Sequence, residues 1–199
     1  MISTVMIQPV DDREMSFIDD EIASIRNIYG ADFRLVPVRV DNWNDDLSPW
    51  EAPPVFGREG FGGGAAGTLA RIAKITCDRS CRYIIGGYSL AGLFAIWAAY
   101  QTDVFAAVAA ASPSVWFPSF AQYAADSVIR TKKVYLSLGD TEERTKNPVM
   151  STVGDNIRAI HSHLLDSGIK CTLEWNSGDH FKEVRQRTAK AFAWAASDL

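Results

Sequence analysis

Apolar positions along the chain switch repeatedly between two spacings. Short apolar or β-branched runs fall at 2–8, 33–40, 82–87, 105–111, 133–138 and 169–175. Runs of that length bounded by Gly, Asp or Pro predict strands, with 33–40 read as a buried one. Between them lie segments with helical spacing at 13–29, 65–76, 90–100, 148–167 and 181–197. In the first helix Phe17, Ile18, Ile22, Ile25 and Ile28 share a face, and Gly30 and Asp32 end it. Gly168 stops the fourth. Regular alternation of strand and helix predicts an α/β fold, with about six mostly parallel strands and helices on both faces. Right-handed crossovers leave few topologies for such a sheet. Segment 41–64 fits neither spacing; it is rich in Pro, Gly and Trp and too long for a simple connection. Loops of that length are functional or mobile.

Composition narrows the class. The chain has 199 residues, 47% of them hydrophobic, which suits one compact domain over 1–199 with a sizeable core. No internal repeat or linker divides it. Charged residues make up 22%, the net charge is −4, and neither sign forms a long run. Without a basic stripe, a nucleic-acid partner is not expected. No apolar stretch reaches the length of a membrane span. Residues 1–5 lack a charged start and a long apolar centre, so no signal peptide and a cytoplasmic location are expected. The three cysteines, Cys77, Cys81 and Cys171, read as free thiols of a reducing compartment. Cys77 and Cys81 are at most half of a metal site, and no His or Cys stands at ligand spacing to complete it. Neither a metal nor a cofactor is expected.

One junction carries most of the chemistry. Gly87-Tyr88-Ser89-Leu90-Ala91-Gly92 joins the strand at 82–87 to the helix at 90–100. A serine on a strand-to-helix turn needs small neighbours, and the turn lifts its Oγ clear of the backbone. A serine hydroxyl is a weak nucleophile until a base takes its proton and a carboxylate holds that base. The base is nearly forced, because the chain has three histidines. His161 and His163 fall inside a helix. His180 lies in Asn176-Ser177-Gly178-Asp179-His180, after the last strand and before the last helix. The acid is expected just after the strand 133–138, in Gly139-Asp140-Thr141-Glu142-Glu143. Glu142 is the first choice, Asp140 the second, and Glu143 remains open.

An oxyanion requires two preorganised N–H donors. Leu90, next to the nucleophile at its helix start, is expected to supply one. The loop after the first strand is expected to supply the other, from Val10 or Asp11, since Pro9 has no N–H. Asn42-Trp43-Asn44 competes for that role. The run Gly62-Gly63-Gly64 opens a helix and reads as a tight turn, and no Lys-Ser/Thr follows to make it a phosphate cradle.

With these residues in place, the chain resembles the α/β-hydrolase superfamily, and within it the small esterase-D-like serine esterases. The resemblance rests on residues 87–94, on Ala111-Ser112-Pro113-Ser114-Val115-Trp116 and on Gly178-Asp179-His180. It covers nearly the whole chain in element order, and it implies a compact hydrolase fold with the order serine, acid, histidine. It also implies that Ser112, Ser114 and Trp116 line the site. Members hydrolyse carboxylic, siderophore or feruloyl esters, S-formylglutathione or thioesters, and some transfer acyl groups. Two departures are visible. Ala91 replaces the second elbow glycine, and no large lid is inserted, which argues against a lipase.

The aromatic residues of 41–64, with Trp116 and Phe117, suggest a wall suited to an acyl chain or a sugar face. Trp43 and Trp116 are expected in that wall. Trp50 is expected to pin the loop, Trp97 and Trp194 to lie in the core, and Trp175 to serve either way. Arg144 and Lys146 read as solvated charges near the acid loop. The leading expectation is a serine hydrolase cleaving small or short-chain carboxylic esters through an acyl-enzyme, with a small-molecule ester as partner. An acyltransferase or thioesterase on the same residues is the alternative, and a non-catalytic hydrolase-like binding module is the third.

Overall fold

The computed structural model describes residues 3–198. In chain order the elements are β1 (Ser3–Val10), α1 (Asp12–Met15), α2 (Ile18–Tyr29), β2 (Arg34–Arg39), α3 (Trp43–Asp46), β3 (Glu51–Ala52) and β4 (Phe61–Gly62). There follow α4 (Ala65–Ile75), β5 (Cys81–Tyr88), α5 (Leu90–Gln101), β6 (Phe105–Ala111), α6 (Phe120–Asp126) and β7 (Lys133–Gly139). The chain closes with α7 (Val153–Asp166), β8 (Lys170–Asn176) and α8 (Val184–Ala196). Six strands form one sheet in the order β2-β1-β5-β6-β7-β8, and every adjacent pair in it is parallel.

Strand periodicity builds two cores. Val5, Ile7, Ile85, Val108, Ala110, Val134 and Leu136 point to one face, under α5 and α7. Met6, Ile84, Ala107, Ala109 and Tyr135 point to the other, under α2 and α8. Successive side chains of a strand project to opposite faces, which is why neighbouring residues enter different cores. Helix α5 is buried on all sides from Leu90 to Tyr100. A helix with no polar stripe of its own must be enclosed by the fold. No helix among the described residues is long and apolar enough to cross a membrane. Cys77, Cys81 and Cys171 are free thiols.

The path of the chain places the cleft. From β1 it passes to β2 on one side, then returns to β5 on the other. Ligands of open α/β sheets bind beyond the carboxyl ends of the strands at such a reversal. The backbone supplies the opening. The β1–β2 ladder runs to Val10↔Arg39, but the β1–β5 ladder stops at Ile7↔Ile85. Val10 accepts from Val40 N on the β2 side, so Pro9 faces β5. Proline has no N–H with which to extend that ladder.

Several elements differ from the sequence reading. Residue 2 of the first expected strand lies outside the described residues. The helix expected at 13–29 is two helices, α1 and α2, broken where the Ser16 hydroxyl donates to Arg13 O. Phe17 and Ile28, expected on its apolar face, are exposed. The strand at 33–40 is an edge strand rather than a buried one; Leu35 and Val38 are buried while Arg34 and Arg39 are exposed. Segment 41–64 is organised around α3 and the antiparallel β3–β4 pair. Ser48 Oγ accepts from Gly63 N at 2.8 Å, Asn147 Nδ2 donates to Val55 O at 2.6 Å, and Trp50 Nε1 donates to Pro118 O at 3.1 Å. Helix α6 has no counterpart in the sequence reading. The last helix starts at Val184, after Glu183 at φ 55°, because 179–182 form a turn.

Candidate active site

Ser89 stands between the end of β5 and the start of α5, at φ 57° and ψ −120°. A non-glycine residue held there costs about 1–3 kcal/mol and persists only where its surroundings fix it. Its N–H donates to Ala111 O at 3.1 Å, and its carbonyl accepts from Leu93 N and Ser114 N, both at 3.0 Å. The turn admits only small neighbours. A Cβ on Gly87 would stand 2.6 Å from Ala91 Cβ, and one on Gly92 3.1 Å from Gly87 O. Alanine at 91 therefore fits because Gly87 leaves it room.

His180 and Glu142 complete a hydrogen-bonded chain. His180 Nε2 lies 3.0 Å from Ser89 Oγ, and His180 Nδ1 lies 2.7 Å from Glu142 Oε2. An ionised carboxylate only accepts, so Nδ1 carries the ring proton and Nε2 is free to accept from the serine. The His180 side chain is 26% exposed and that of Glu142 5%, so the base meets solvent while the acid does not. Gly178, at φ 105°, lets the chain turn sharply between β8 and His180.

Of the three acidic residues after β7, Glu142 is the one beside His180. Asp140 faces elsewhere; its Oδ1 accepts from Gly178 N at 2.8 Å and ties the two loops together. Glu143 pairs with Arg158 at 2.9 Å, which holds its carboxyl below the ordinary range. The other oxygen of Glu142 is saturated. Oε1 accepts from Gly139 N at 2.7 Å, Ser112 Oγ at 2.8 Å and Arg187 Nη1 at 3.2 Å.

Ser112 is therefore corrected from a lining residue to a support of the acid, at φ 40° and fully buried. Ser114 does reach the nucleophile, with 3.2 Å between the two Oγ atoms. Trp116 is 6% exposed and packs under Phe56 and Phe61 of the β3–β4 segment, so it props that segment rather than forming an open wall. Trp43 starts α3 and is half-buried against the core. Trp50 stacks on Phe120 and packs on Phe117 and Tyr123. Phe181, beside His180 with ring centroids 5.5 Å apart, is 85% exposed at the mouth. His161 and His163 lie on α7, away from these partners.

The candidate oxyanion donors separate. Leu90 heads α5, where a first-turn N–H has no intrahelical partner, and among the described residues it makes no other backbone bond. Val10 is corrected; its N–H lies on the β2 side of its strand with its carbonyl, which is already bonded to Val40. Asp11 faces the opposite way, towards β5. Continuing the β1–β5 register places it level with Ser89. Its side chain caps α1 by accepting from Glu14 N at 2.7 Å, which fixes the backbone at that point.

Sequence reasoning missed Arg187. It is 1% exposed on α8 and pairs with Glu142. Its Nη1 also donates to Tyr88 OH at 3.1 Å, and its Nη2 to Ser177 O at 3.1 Å. Tyr88 OH in turn donates to His180 O at 2.9 Å. Burial pushes the Tyr88 hydroxyl above its ordinary range, so it stays a donor.

Comparison with known proteins agrees with this architecture. No protein-family model matches the chain. An uncharacterized protein YbbA of Bacillus subtilis is 23% identical over 180 residues, 80% of this chain and 72% of that one. Among solved structures, an IroE-like serine hydrolase from Shewanella oneidensis superposes with a TM-score of 0.69 at 18% identity, covering 96% of this chain and 69% of its own. A fluorophosphonate-binding serine hydrolase of Staphylococcus aureus gives 0.62 at 15%, covering 99% and 84%. A ferulic acid esterase gives 0.60 at 14%, covering 97% and 82%. The architecture common to these structures is the α/β-hydrolase fold, and it is the fold of this chain.

Proposed function

We propose that the protein is a serine hydrolase that cleaves carboxylic esters of small acyl groups through an acyl-enzyme. The observation that carries this reading is the continuous chain from Ser89 Oγ through His180 to Glu142, at 3.0 and 2.7 Å. Ser89 Oγ attacks the ester carbonyl carbon and passes its proton to His180 Nε2. The carbonyl oxygen becomes an oxyanion held by Leu90 N–H and Asp11 N–H. Its collapse breaks the C–O bond, and the alcohol leaves with the proton from His180. Water then attacks the acyl-enzyme, gives a proton to His180, and the carboxylic acid departs as that proton returns to Ser89. Glu142 keeps the imidazole in the required tautomer and offsets its transient charge. The hydrolase and esterase neighbours support the same chemistry.

The test is labelling with a fluorophosphonate, located by peptide mass spectrometry, alongside turnover of p-nitrophenyl acetate. Modification at Ser89 that disappears in His180→Ala is expected. Folded protein that neither labels nor turns over the ester, or turnover that survives Ser89→Ala, would sink the reading. Adding primary alcohols and analysing products separates hydrolysis from acyl transfer.

A further inference from the structure

A guanidinium with 1% exposure is costly unless it is paired and hydrogen-bonded. Arg187 is paired at the acid of the site through both Nη atoms, while its buried Nε has no hydrogen-bond partner among the described residues. Its Nη1 lies 3.2 Å from Glu142 Oε1, 3.1 Å from Tyr88 OH and 3.4 Å from Ser112 Oγ. Its Nη2 holds Ser177 O, in the loop that carries His180. One side chain on α8 thus grips the acid directly, and the base through Ser177 and through Tyr88.

We propose that Arg187 is a positioning residue that sets the proton affinity of the Glu142–His180 pair, and with it the pH range in which Ser89 is activated. The inference deepens the serine-hydrolase reading and rests on it for the role of the pair. The other titratable groups on the elements around the pair have partners of their own: Tyr88 OH lies between Arg187 Nη1 and His180 O, Asp140 Oδ1 accepts from Gly178 N, Asp179 Oδ1 accepts from Phe181 N, and the Lys182 side chain packs against Gly178. Among the described residues Arg187 forms no ion pair except with Glu142. A fixed cation beside a carboxylate opposes proton uptake by the carboxylate and by any imidazole bonded to it. Removing the cation raises the pair's proton affinity, whichever of the two atoms takes the proton. The base would then be lost to protonation at a higher pH.

The chain's three histidines make this measurable without catalysis. Ring C–H proton resonances are followed against pH in the wild type, Arg187→Met and Arg187→Lys, with His161 and His163 as internal references. In Arg187→Met the His180 midpoint is expected to rise by about one pH unit, the lower end for an opposite charge at this distance. His161 and His163 stay in place. Arg187→Lys keeps the charge and loses the fork, so its midpoint stays near the wild-type value. Its labelling by a fluorophosphonate slows about tenfold, as expected for one lost hydrogen bond. Arg187→Gln, which leaves polar groups in the pocket, carries the same expectation as Arg187→Met if the latter does not fold. A His180 midpoint that does not move in the folded neutral variant overturns the inference and leaves Arg187 a structural residue. Labelling reports separately on the enzyme reading. A wild type that never labels removes that reading, while a shifted His180 midpoint still establishes the charge coupling.

Discussion

Ser112 gives its one hydroxyl hydrogen to Oε1 of Glu142 at 2.8 Å. The serine therefore stands behind Glu142, and in the proposed reaction it acts through that carboxylate. Ser112→Ala is expected to lower kcat about tenfold, the worth of one hydrogen bond to a charged group, with KM unchanged. A rise in KM at constant kcat would instead put Ser112 against the substrate.

The two carboxylates nearest the histidine loop have different partners, and their substitutions should differ accordingly. Glu142→Gln leaves His180 without an anion and with the wrong tautomer favoured, a loss of about three to four orders of magnitude in kcat. Asp140→Asn keeps an acceptor for Gly178 N and is expected to cost less than about tenfold. Steady-state kinetics on p-nitrophenyl acetate distinguishes them, and equal losses would contradict the assignment of Glu142 as the acid.

The segment around β3 and β4 is fastened to the body through Trp50. Trp50→Phe removes the bond from Nε1 to Pro118 O and is expected to cost about 1 kcal/mol. Trp50→Ala also empties the space among Phe117, Phe120 and Tyr123, and roughly 2 kcal/mol is expected for a half-buried ring. Urea unfolding reads both. An unchanged midpoint for Trp50→Ala would show that the ring adds nothing to the fold.

Two acids near the start of the chain make stability depend on pH. Burial pushes Glu21 up to about 7 and Glu14 up to about 8, from an ordinary value of 4.5. The folded state holds their protons more tightly than the unfolded state. Their contribution is full below about 4.5 and is lost as pH rises through 7 and 8. Glu21→Gln cannot ionise, so it should raise stability at pH 8 by roughly 1–3 kcal/mol and change it little at pH 4.5. Thermal melts at the two pH values test this, and a variant that loses stability equally at both would refute it.

What the sequence disclosed follows from how local each constraint is. The strand expected at 105–111 is found at Phe105–Ala111, because a run of small apolar residues between polar ends leaves little choice. The turn at Ser89 is legible for the same reason, since its glycine and alanine are needed within a few residues of it. Spacing after the strand puts Glu142 ahead of Asp140 but leaves Asp140 and Glu143 open. Which of them faces His180 depends on Arg187 and Ser112, both distant in sequence. Arg187 itself reads as a solvated charge on an amphipathic helix; only the fold shows that its face of α8 lies against β5 and β7. Helix α6 spans seven residues, too short for periodicity to register. The break at Ser16 depends on a side-chain hydroxyl bonding backward to the main chain, a local competition that apolar spacing does not reveal.

Pro9 has a consequence for how the site can vary. The gap between β1 and β5 is set by an imino acid in the main chain, and the residues around its mouth do not hold it open. Exposed Phe181, beside His180, is therefore free to change without the risk that the strands close over Ser89. Restoring an amide hydrogen at residue 9 would carry that risk with every rim side chain intact. The opening beside Ser89 and the side chains around it can in this sense vary separately, the one set by the backbone and the other by the residues exposed there.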